Sequence, residues 1–279
     1  MNDTLPPGLY IVATPIGNLQ DISARAVATL RAADVIAVED SRVTAKLLNH
    51  LGLKKQMIAY HDHSGDHVRP ALITRMAREM VVLVSDAGTP LISDPGYKLV
   101  RDARDAGMMI TTIAGPCAAI AALTLAGLPT DRFLFAGFLP AKAKARDAMI
   151  DEIGAVRATL LLYESGPRLG KTLAALAARL GQRDAAVARE ISKRFEDVVT
   201  GTLAALAERF ANETPKGEIV LVIGPPGDKP PLEQSAIDAA LSEALTRLST
   251  GSAVREVADT LGLKRSDLYE RALALKSRK

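Results

Sequence analysis

Residues 80–96 read MVVLVSDAGTPLISDPG, an apolar run that leads into a loop of unusual composition. The run is continuous, which is typical of a strand in a sheet covered on both faces. The loop holds two aspartates, two prolines and two glycines, more special residues than a simple turn requires. Because ligands of open α/β sheets bind beyond the carboxyl ends of strands, this loop is a candidate wall of a binding site.

Short β-branched runs alternate with Ala/Leu-rich segments of helical periodicity along the first half of the chain. Predicted strands cover residues 9–13, 35–38, 56–60, 81–84 and 109–113. Predicted helices cover residues 22–33, 43–50, 68–78 and 97–106. A right-handed α/β unit with a parallel sheet is the simplest arrangement of these elements.

The alternation resumes after the segment GLPTD at 127–131. Further strands are predicted at 133–138, 159–163, 185–188 and 218–223, with helices near 142–153, 167–180 and 202–211. The segment GPPGDKPP at 224–231 can continue neither a strand nor a helix, and the residues beyond it have helical periodicity only. We therefore predict α/β domains at 1–130 and 131–225, a linker at 226–232 and a helical domain at 233–279.

The composition limits the possible protein classes. Apolar residues make up 48% and aromatic residues 4% of the chain, and there is no Trp, which indicates an aliphatic, helix-rich core. Cys117 is the single cysteine, so an intrachain disulfide and a multi-cysteine metal site are excluded and a reducing cytoplasm is expected. No apolar run reaches the ~20 residues that span a bilayer, and the start MNDTLPPG lacks a secretory pattern. The pI of about 9.0 favours an anionic partner.

Each predicted strand of the first half ends in a polar or Gly/Pro-rich loop. The loops read TPIGNLQD at 14–21, EDSR at 39–42, HDHSGDH at 61–67, SDAGTPLISDPG at 85–96 and AGPCAA at 114–119. None contains the GxGxxG pattern, which disfavours a nicotinamide dinucleotide site. Five such loops at one sheet edge predict a single shared site.

Several of these residues have a structural alternative. Asp94 followed by Pro and Gly could simply cap the next helix, although capping does not explain residues 86–90. The loop histidines His61 and His63 could bind a metal, but without further ligands a surface or substrate contact is favoured and no metal is predicted. Cys117 has no partner base and is interpreted as a small residue beside a ligand. The EDSR loop could be a structural ion-pair cluster, or it could have a role in function.

In combination, these motifs resemble one known family. YIVATPIGNL at 10–19, VEDSR at 38–42, YHDH at 60–63, the opening loop, AGPCAA at 114–119, GFLPAK at 137–142, LYES at 162–165, ARE at 188–190 and PKGE at 215–218 occur in the expected order. They resemble the tetrapyrrole methylase superfamily and, within it, the branch that methylates ribosomal RNA, the ribosomal RNA small subunit methyltransferase I family. The resemblance covers residues 8 to about 224, and the helical tail is also similar to that branch.

The resemblance implies a cofactor and a reaction. It implies two α/β domains with S-adenosylmethionine bound in the cleft between them, and a homodimer. It also implies methyl transfer to the ribose 2′-hydroxyl of a cytidine in the decoding region of 16S rRNA. The implied cofactor contacts are Pro15, Gly17, Gly88, Thr89, Ile92, Cys117, Ala118, Tyr163, Glu164, Gly217 and Glu218.

A ribose hydroxyl needs a base close to its proton before it can attack a methyl group. The candidate bases, among which the sequence does not decide, are Glu39, Asp40, His61 and His63. Candidate contacts to the RNA backbone are Arg42, Lys142, Lys264, Arg265 and Arg271. The last three belong to a segment that resembles a helix-turn-helix, which could bind RNA or instead serve dimerisation.

Two other functions are compatible with the sequence. The first is C-methylation of a porphyrin or corrin on the same fold, which would not require a basic helical tail. The second is a ribosome assembly factor that binds rRNA without catalysis. We expect no membrane or DNA partner.

Overall fold

The run Met80–Val84 is the central strand of a parallel sheet in the computed structural model, which describes residues 5–61, 67–227 and 233–276. The sheet contains β1 Gly8–Val12, β2 Val35–Val38, β3 Gln56–Ala59, β4 Met80–Val84 and β5 Ile110–Ile113, in the order β3-β2-β4-β1-β5. All its strand pairs are parallel. The predicted α/β architecture of this half is confirmed, and the carboxyl ends of the strands share one edge.

Four helices pack on the faces of this sheet and begin near the predicted positions: α1 Ala24–Ala32, α2 Ser41–His50, α3 Val68–Met76 and α4 Tyr97–Asp105. A fifth helix, α5 Ala118–Leu125, follows β5. Side-chain caps explain where α1 and α2 start: Ser23 accepts a hydrogen bond from the Ala26 amide, and Asp40 accepts one from the Arg42 amide. Helix α5 was not among the predicted helices.

The second half forms a sheet of mixed direction. Its elements are β6 Phe133–Phe138, α6 Ala143–Gly154, β7 Thr159–Ser165, α7 Gly166–Leu180, β8 Asp184–Arg189, β9 Asp197–Thr202, α8 Leu203–Arg209 and β10 Glu218–Ile223. The strand order is β6-β7-β10-β8-β9, with only β6 and β7 parallel. Strand β9 was not predicted.

Helix α5 connects the two halves through its packing. Ala119, Ala122 and Leu123 are buried against residues of the second sheet that include Leu161 and Val220. Full burial of an aliphatic side chain contributes roughly 1.5–3 kcal/mol, so this contact is a substantial part of the core. The chain up to Pro226 accordingly forms one compact unit that contains both sheets, and the division at 130/131 stays a prediction.

The helical unit begins at Gly227 and contains α9 Gln234–Arg247, α10 Thr250–Leu261 and α11 Arg265–Lys276. Leu241, Val257 and Leu268 are buried between its helices. Gly262 ends α10 in the left-handed conformation, at φ 67°, and so makes the tight turn into α11. The predicted linker at 226–232 lies largely outside the described residues. Across the described chain, none of the helices combines the length and apolar character of a membrane span.

Candidate functional site

A cavity of about 330 Å³ lies at the shared strand edge of the first sheet and reaches strands β7 and β10 of the second. Its volume is within the range of small-molecule sites. The lining residues are Ile16, Glu39, Asp86, Ala87, Gly88, Thr89, Ile92, Ser93, Asp94, Cys117, Ala118, Phe138, Tyr163, Glu164, Glu218, Ile219 and Val220. Four of the five loops that the sequence predicted to share a site, those after β1, β2, β4 and β5, therefore line one cavity, and the loop after β3 lies largely outside the described residues.

Gly88 fixes the loop after β4 against the loop after β1. Its amide and carbonyl form a two-way bridge with Thr14, with N···O distances of 3.0 and 2.8 Å. Gly88 has φ +76°, and an added Cβ would lie 3.2 Å from Ile16 Cγ2. Glycine is needed here because the backbone conformation is left-handed and the neighbouring side chain is already close. The Thr89 hydroxyl donates to the Pro116 carbonyl at 2.9 Å, which ties the same loop to the one after β5.

The second half of this loop is strained. Leu91 and Ser93 adopt positive φ values of 74° and 65°, which is uncommon for residues with a side chain. Helix α4 begins at Tyr97 with Gly96 at the cap position and no side-chain cap. The structural alternative of Asp94 as the N-cap is therefore not realised, because Gly96 holds the cap position. Asp94 lines the cavity instead.

The carboxylates of Glu39, Asp86 and Asp94 line the same cavity. Glu39 accepts a hydrogen bond from the Asp86 amide at 3.4 Å, and Asp86 accepts one from the Asp40 amide at 3.0 Å. Burial raises the pKa of Asp94 to about 6, and the negative charges of Glu39 and Asp86 act in the same direction. A hydrogen bond with Ser85 opposes this effect. The cavity thus has a local excess of negative charge.

Tyr163 of β7 and Cys117 form the opposite wall. The Tyr163 ring makes edge-to-face contacts with Phe135 and Phe138, at centroid distances of 5.0 and 5.5 Å. Burial, followed by the neighbouring Cys117, raises the pKa of Tyr163 to about 12, so the phenol keeps its proton. This wall is apolar and has a single hydroxyl donor.

Glu164 lines the cavity, but its carboxylate is used elsewhere. The Thr172 hydroxyl donates to Oε2 at 2.6 Å and the Ser165 amide donates to Oε1 at 2.8 Å. Arg168 lies 3.4 Å from Oε1, and the Glu164 side chain is only 1% exposed. These bonds hold the end of β7 in place.

Glu218 lines the cavity, and Gly17 and Gly217 directly follow or precede lining residues in the chain. Lys193 pairs with Glu218 at 3.0 Å and with Glu190 at 2.9 Å. An added Cβ on Gly217, at φ +97°, would overlap the Glu190 carboxylate, and one on Gly17 would overlap the Lys193 side chain. These glycines allow close packing around Lys193 and do not line the cavity.

Three further predicted residues that the structure describes, Pro15, Asp40 and His61, are not part of the cavity lining. Pro15 precedes the lining residue Ile16, and His61 ends the described part of its loop. His63 lies outside the described residues. Asp40 caps α2 and pairs with Arg42 at 2.6 Å. The Arg42 hydrogen bond lowers the pKa of Asp40 to about 2, which makes it a weak base.

The predicted RNA contacts differ in availability. Arg42 is 87% exposed although it pairs with Asp40. Lys142 is exposed at the start of α6, and Lys264 is exposed at the start of α11. Arg265 is also exposed and pairs with Asp259 at 3.1 Å. Arg271 is partly buried and donates to Asp238 at 2.9 Å, so it mainly joins α11 to α9.

The sequence did not identify Asp86, Asp94, Ser93, Ile16 and Phe138 as site residues. Asp86 and Asp94 stand in the loop that predicted the site, although the sequence pattern singled out neither of them as a site residue. Within residues 5–61, 67–227 and 233–276, no group of three or more His, Cys, Asp or Glu side chains is arranged to hold a metal ion.

Known proteins resemble the chain over nearly its full length. Residues 8–207 match the family described as Tetrapyrrole (Corrin/Porphyrin) Methylases, and residues 232–276 match the RsmI C-terminal HTH domain. The chain is 54% identical over 275 residues to "Ribosomal RNA small subunit methyltransferase I" of Erythrobacter litoralis, covering 99% of this chain and 98% of that protein. The protein of the same name from Mesorhizobium japonicum is 47% identical, with 98% and 93% covered.

A solved structure shares the fold of the α/β unit. It is the uroporphyrin-III C-methyltransferase from Thermus thermophilus complexed with S-adenyl homocysteine. It aligns with a TM-score of 0.54 at 20% identity and covers 78% of this chain and 97% of that one.

Proposed function

Because the chain belongs to the tetrapyrrole methylase family, and within it to the ribosomal RNA small subunit methyltransferase I family, we propose that it methylates 16S rRNA from S-adenosylmethionine. The proposed acceptor is the ribose 2′-hydroxyl of a cytidine in the decoding region. The single observation that supports this proposal most is the cavity at the strand edge, since it joins the loop of 85–96 to Cys117 and Tyr163.

The residues of the cavity fit the proposed cofactor. The bridge between Gly88 and Thr14 brings bare backbone to the cavity wall, which suits close contact with a nucleoside or an amino acid. Ile16, Ile92 and Val220 offer apolar surface for an adenine ring. The carboxylates described above suit the positive sulfonium and amino groups of S-adenosylmethionine. When bound, the cofactor would supply an electrophilic methyl group on a positively charged sulfur.

The cofactor contacts that we propose are, accordingly, the predicted residues that line the cavity. They are Gly88, Thr89, Ile92, Cys117, Ala118, Tyr163, Glu164 and Glu218. Gly17 and Gly217 allow close packing around Lys193 and Glu190, and Pro15 directly precedes the lining residue Ile16. The protein residues mainly orient the reactants and exclude water, and such alignment accounts for a large part of the rate in group transfer.

The ribose hydroxyl still requires a base. Among the predicted bases in the described residues, Glu39 lines the cavity, whereas Asp40 is held by Arg42. His61 and His63 belong to the neighbouring loop after β3 and remain candidates for contact with the RNA.

We propose that the helical unit contacts rRNA through Lys264 and Arg265, which are exposed at the start of α11. Arg42 and Lys142 are further proposed phosphate contacts, and Arg271 contributes through the packing of the unit. The protein is proposed to be a homodimer, as the family resemblance implies, and to be cytoplasmic, as the single cysteine favours. Affinity for RNA should fall with salt concentration because phosphate contacts release counterions.

The test is incubation of the protein with methyl-labelled S-adenosylmethionine and small ribosomal subunits that lack modifications. Label in an alkali-resistant dinucleotide at one cytidine supports the proposal, and subunits that are already methylated serve as the control. Label on a base, or none, contradicts it. Retention of a coloured pigment would favour a porphyrin or corrin substrate, and rRNA binding without transfer would favour an assembly factor.

A further inference from the structure

Asp94 is placed in the cavity by a strained backbone and not by a helix. It follows Ser93, whose φ is +65°, and it precedes the helix start at Tyr97 without capping it. Strain of this kind persists only where the surrounding structure imposes it, and it is concentrated at functional sites. The loop therefore holds a carboxylate at the cavity wall that the fold does not need for capping.

Two of the other cavity carboxylates are neutralised by cations. Glu164 receives hydrogen bonds from Thr172 and Ser165 and lies beside Arg168. Glu218 pairs with Lys193. Each of these carboxylates is thus already engaged by a cation.

Unlike Glu164 and Glu218, Asp94 has negatively charged neighbours. The charged side chains acting on it within the described chain are Glu39, on the loop after β2, and Asp86, on its own loop. Ser85 forms a hydrogen bond with it, and its charge acts in turn on the phenol of Tyr163 from β7. Protonation of Asp94 relieves repulsion among the three carboxylates and breaks no ion pair of these neighbours.

We propose that Asp94 is the general base that takes the proton of the acceptor hydroxyl during methyl transfer. This inference rests on the function proposed above, and it replaces Glu39 by Asp94 as the base. The raised pKa of Asp94, about 6, agrees with this role because a base works best when its pKa is near the working pH.

The proton and electron balance is complete with the groups named. The O–H bond of the ribose hydroxyl breaks and its proton goes to the Asp94 carboxylate. The oxygen electron pair forms the new O–CH₃ bond, while the electron pair of the sulfur–methyl bond returns to the sulfur. One negative charge on Asp94 and one positive charge on sulfur disappear together, so the cavity keeps its net charge during the reaction.

The experiment compares wild-type protein with Asp94→Asn, using unmodified small subunits and S-adenosylmethionine. In the wild type, kcat/KM for S-adenosylmethionine should fall tenfold per pH unit below about pH 6, since this parameter reports groups of the free enzyme. Asp94→Asn should lower kcat/KM at pH 7.5 by roughly 10²-fold or more and remove this acid limb. Asp94→Glu should recover part of the rate and the limb.

Glu39→Gln is the matched control from the same carboxylate group. Removal of its charge should move the acid limb to lower pH, because Asp94 then loses a repelling neighbour. If Glu39→Gln abolishes the limb, or if Asp94→Asn keeps the wild-type rate and limb, Glu39 or another group is the base and the inference is wrong.

A second readout does not depend on activity. In the protein without cofactor, ¹³C-aspartate NMR should show one carboxyl titrating near pH 6 in the wild type and missing in Asp94→Asn. S-adenosylmethionine binding and thermal unfolding show whether the variant is folded. Failure of the wild type to methylate ribose overturns the proposed function and the inference together, whereas an active Asp94→Asn overturns the inference alone.

Discussion

Replacement of Asp94 by Asn should make the protein more stable at neutral pH. The pKa of this carboxyl is about 6 in the folded protein against an ordinary value of 3.8. One pKa unit corresponds to about 1.36 kcal/mol, so the whole shift, taken at face value, would destabilise the folded protein by about 3 kcal/mol. Because Asp94 is only partly buried, we reduce this to about 1.5 kcal/mol. Asn keeps the shape and can still bond to Ser85, but it carries no charge.

The pH dependence has a definite sign. Below about pH 4, Asp94 is protonated in the folded and unfolded states, so wild type and variant should have equal stability. As the pH rises through 6, the folded wild type must ionise a carboxyl that its surroundings disfavour. The advantage of Asp94→Asn should therefore appear between about pH 4 and 6 and stay constant above pH 6.

The assay is thermal unfolding of the cofactor-free protein from pH 4 to 8. A gain of about 1.5 kcal/mol corresponds to roughly 3–6 °C in Tm for a chain of this size. Asp151→Asn is a control of opposite sign, because a hydrogen bond from Arg179 lowers the pKa of Asp151. Its removal should reduce stability at neutral pH. A variant Asp94→Asn that is no more stable than the wild type at pH 7.5, or equally more stable at pH 4, would refute the reasoning.

Gly88→Ala and Gly107→Ala each place a side chain at positive φ, so each should lower the free energy of unfolding by about 1–2 kcal/mol. Of the two added methyl groups, only the one at Gly88 would have a close neighbour. Calorimetry should therefore show weaker S-adenosylmethionine binding for Gly88→Ala alone; equal binding in both variants contradicts the cavity assignment. Thr172→Val removes a donor to the buried Glu164 carboxylate and should lower the free energy of unfolding by about 1–3 kcal/mol, measured with urea; a change near zero would mean that the carboxylate is satisfied without it. Lys264→Ala should weaken filter binding to rRNA and reduce the slope of log affinity against log salt by about 1, and an unchanged slope would favour dimerisation as the role of the helical unit.

Three strands of the first sheet, β1, β2 and β4, were predictable because they are buried on both faces. β2 and β4 are buried at every position, and continuous apolar runs of this kind are recognisable without an alignment. β9 was missed because its residues are exposed or half-buried and Gly201 interrupts the β-branched run. α5, AAIAALTL, is apolar on all sides, so it lacks the polar positions that reveal a helical period.

The location of the site was also predictable, whereas the role of its carboxylates was not. Parallel strands with Gly/Pro-rich loops at their carboxyl ends bring those loops together, and this follows from sequence alone. Which carboxylate is paired depends partly on contacts between separate segments, such as Lys193 with Glu218. The antiparallel pairing in the second sheet depends on such long-range contacts as well.

Helix α5 also has a consequence for motion between the two sheets. It starts directly after Cys117, a wall residue, and its buried face is fixed to the second sheet through Ala122 and Leu123. A hinge-like swing of one sheet away from the other at residues 126–132 would have to detach this helix and expose its apolar face to water. The burial of α5 therefore opposes a separation of the two sheets at this point in the chain.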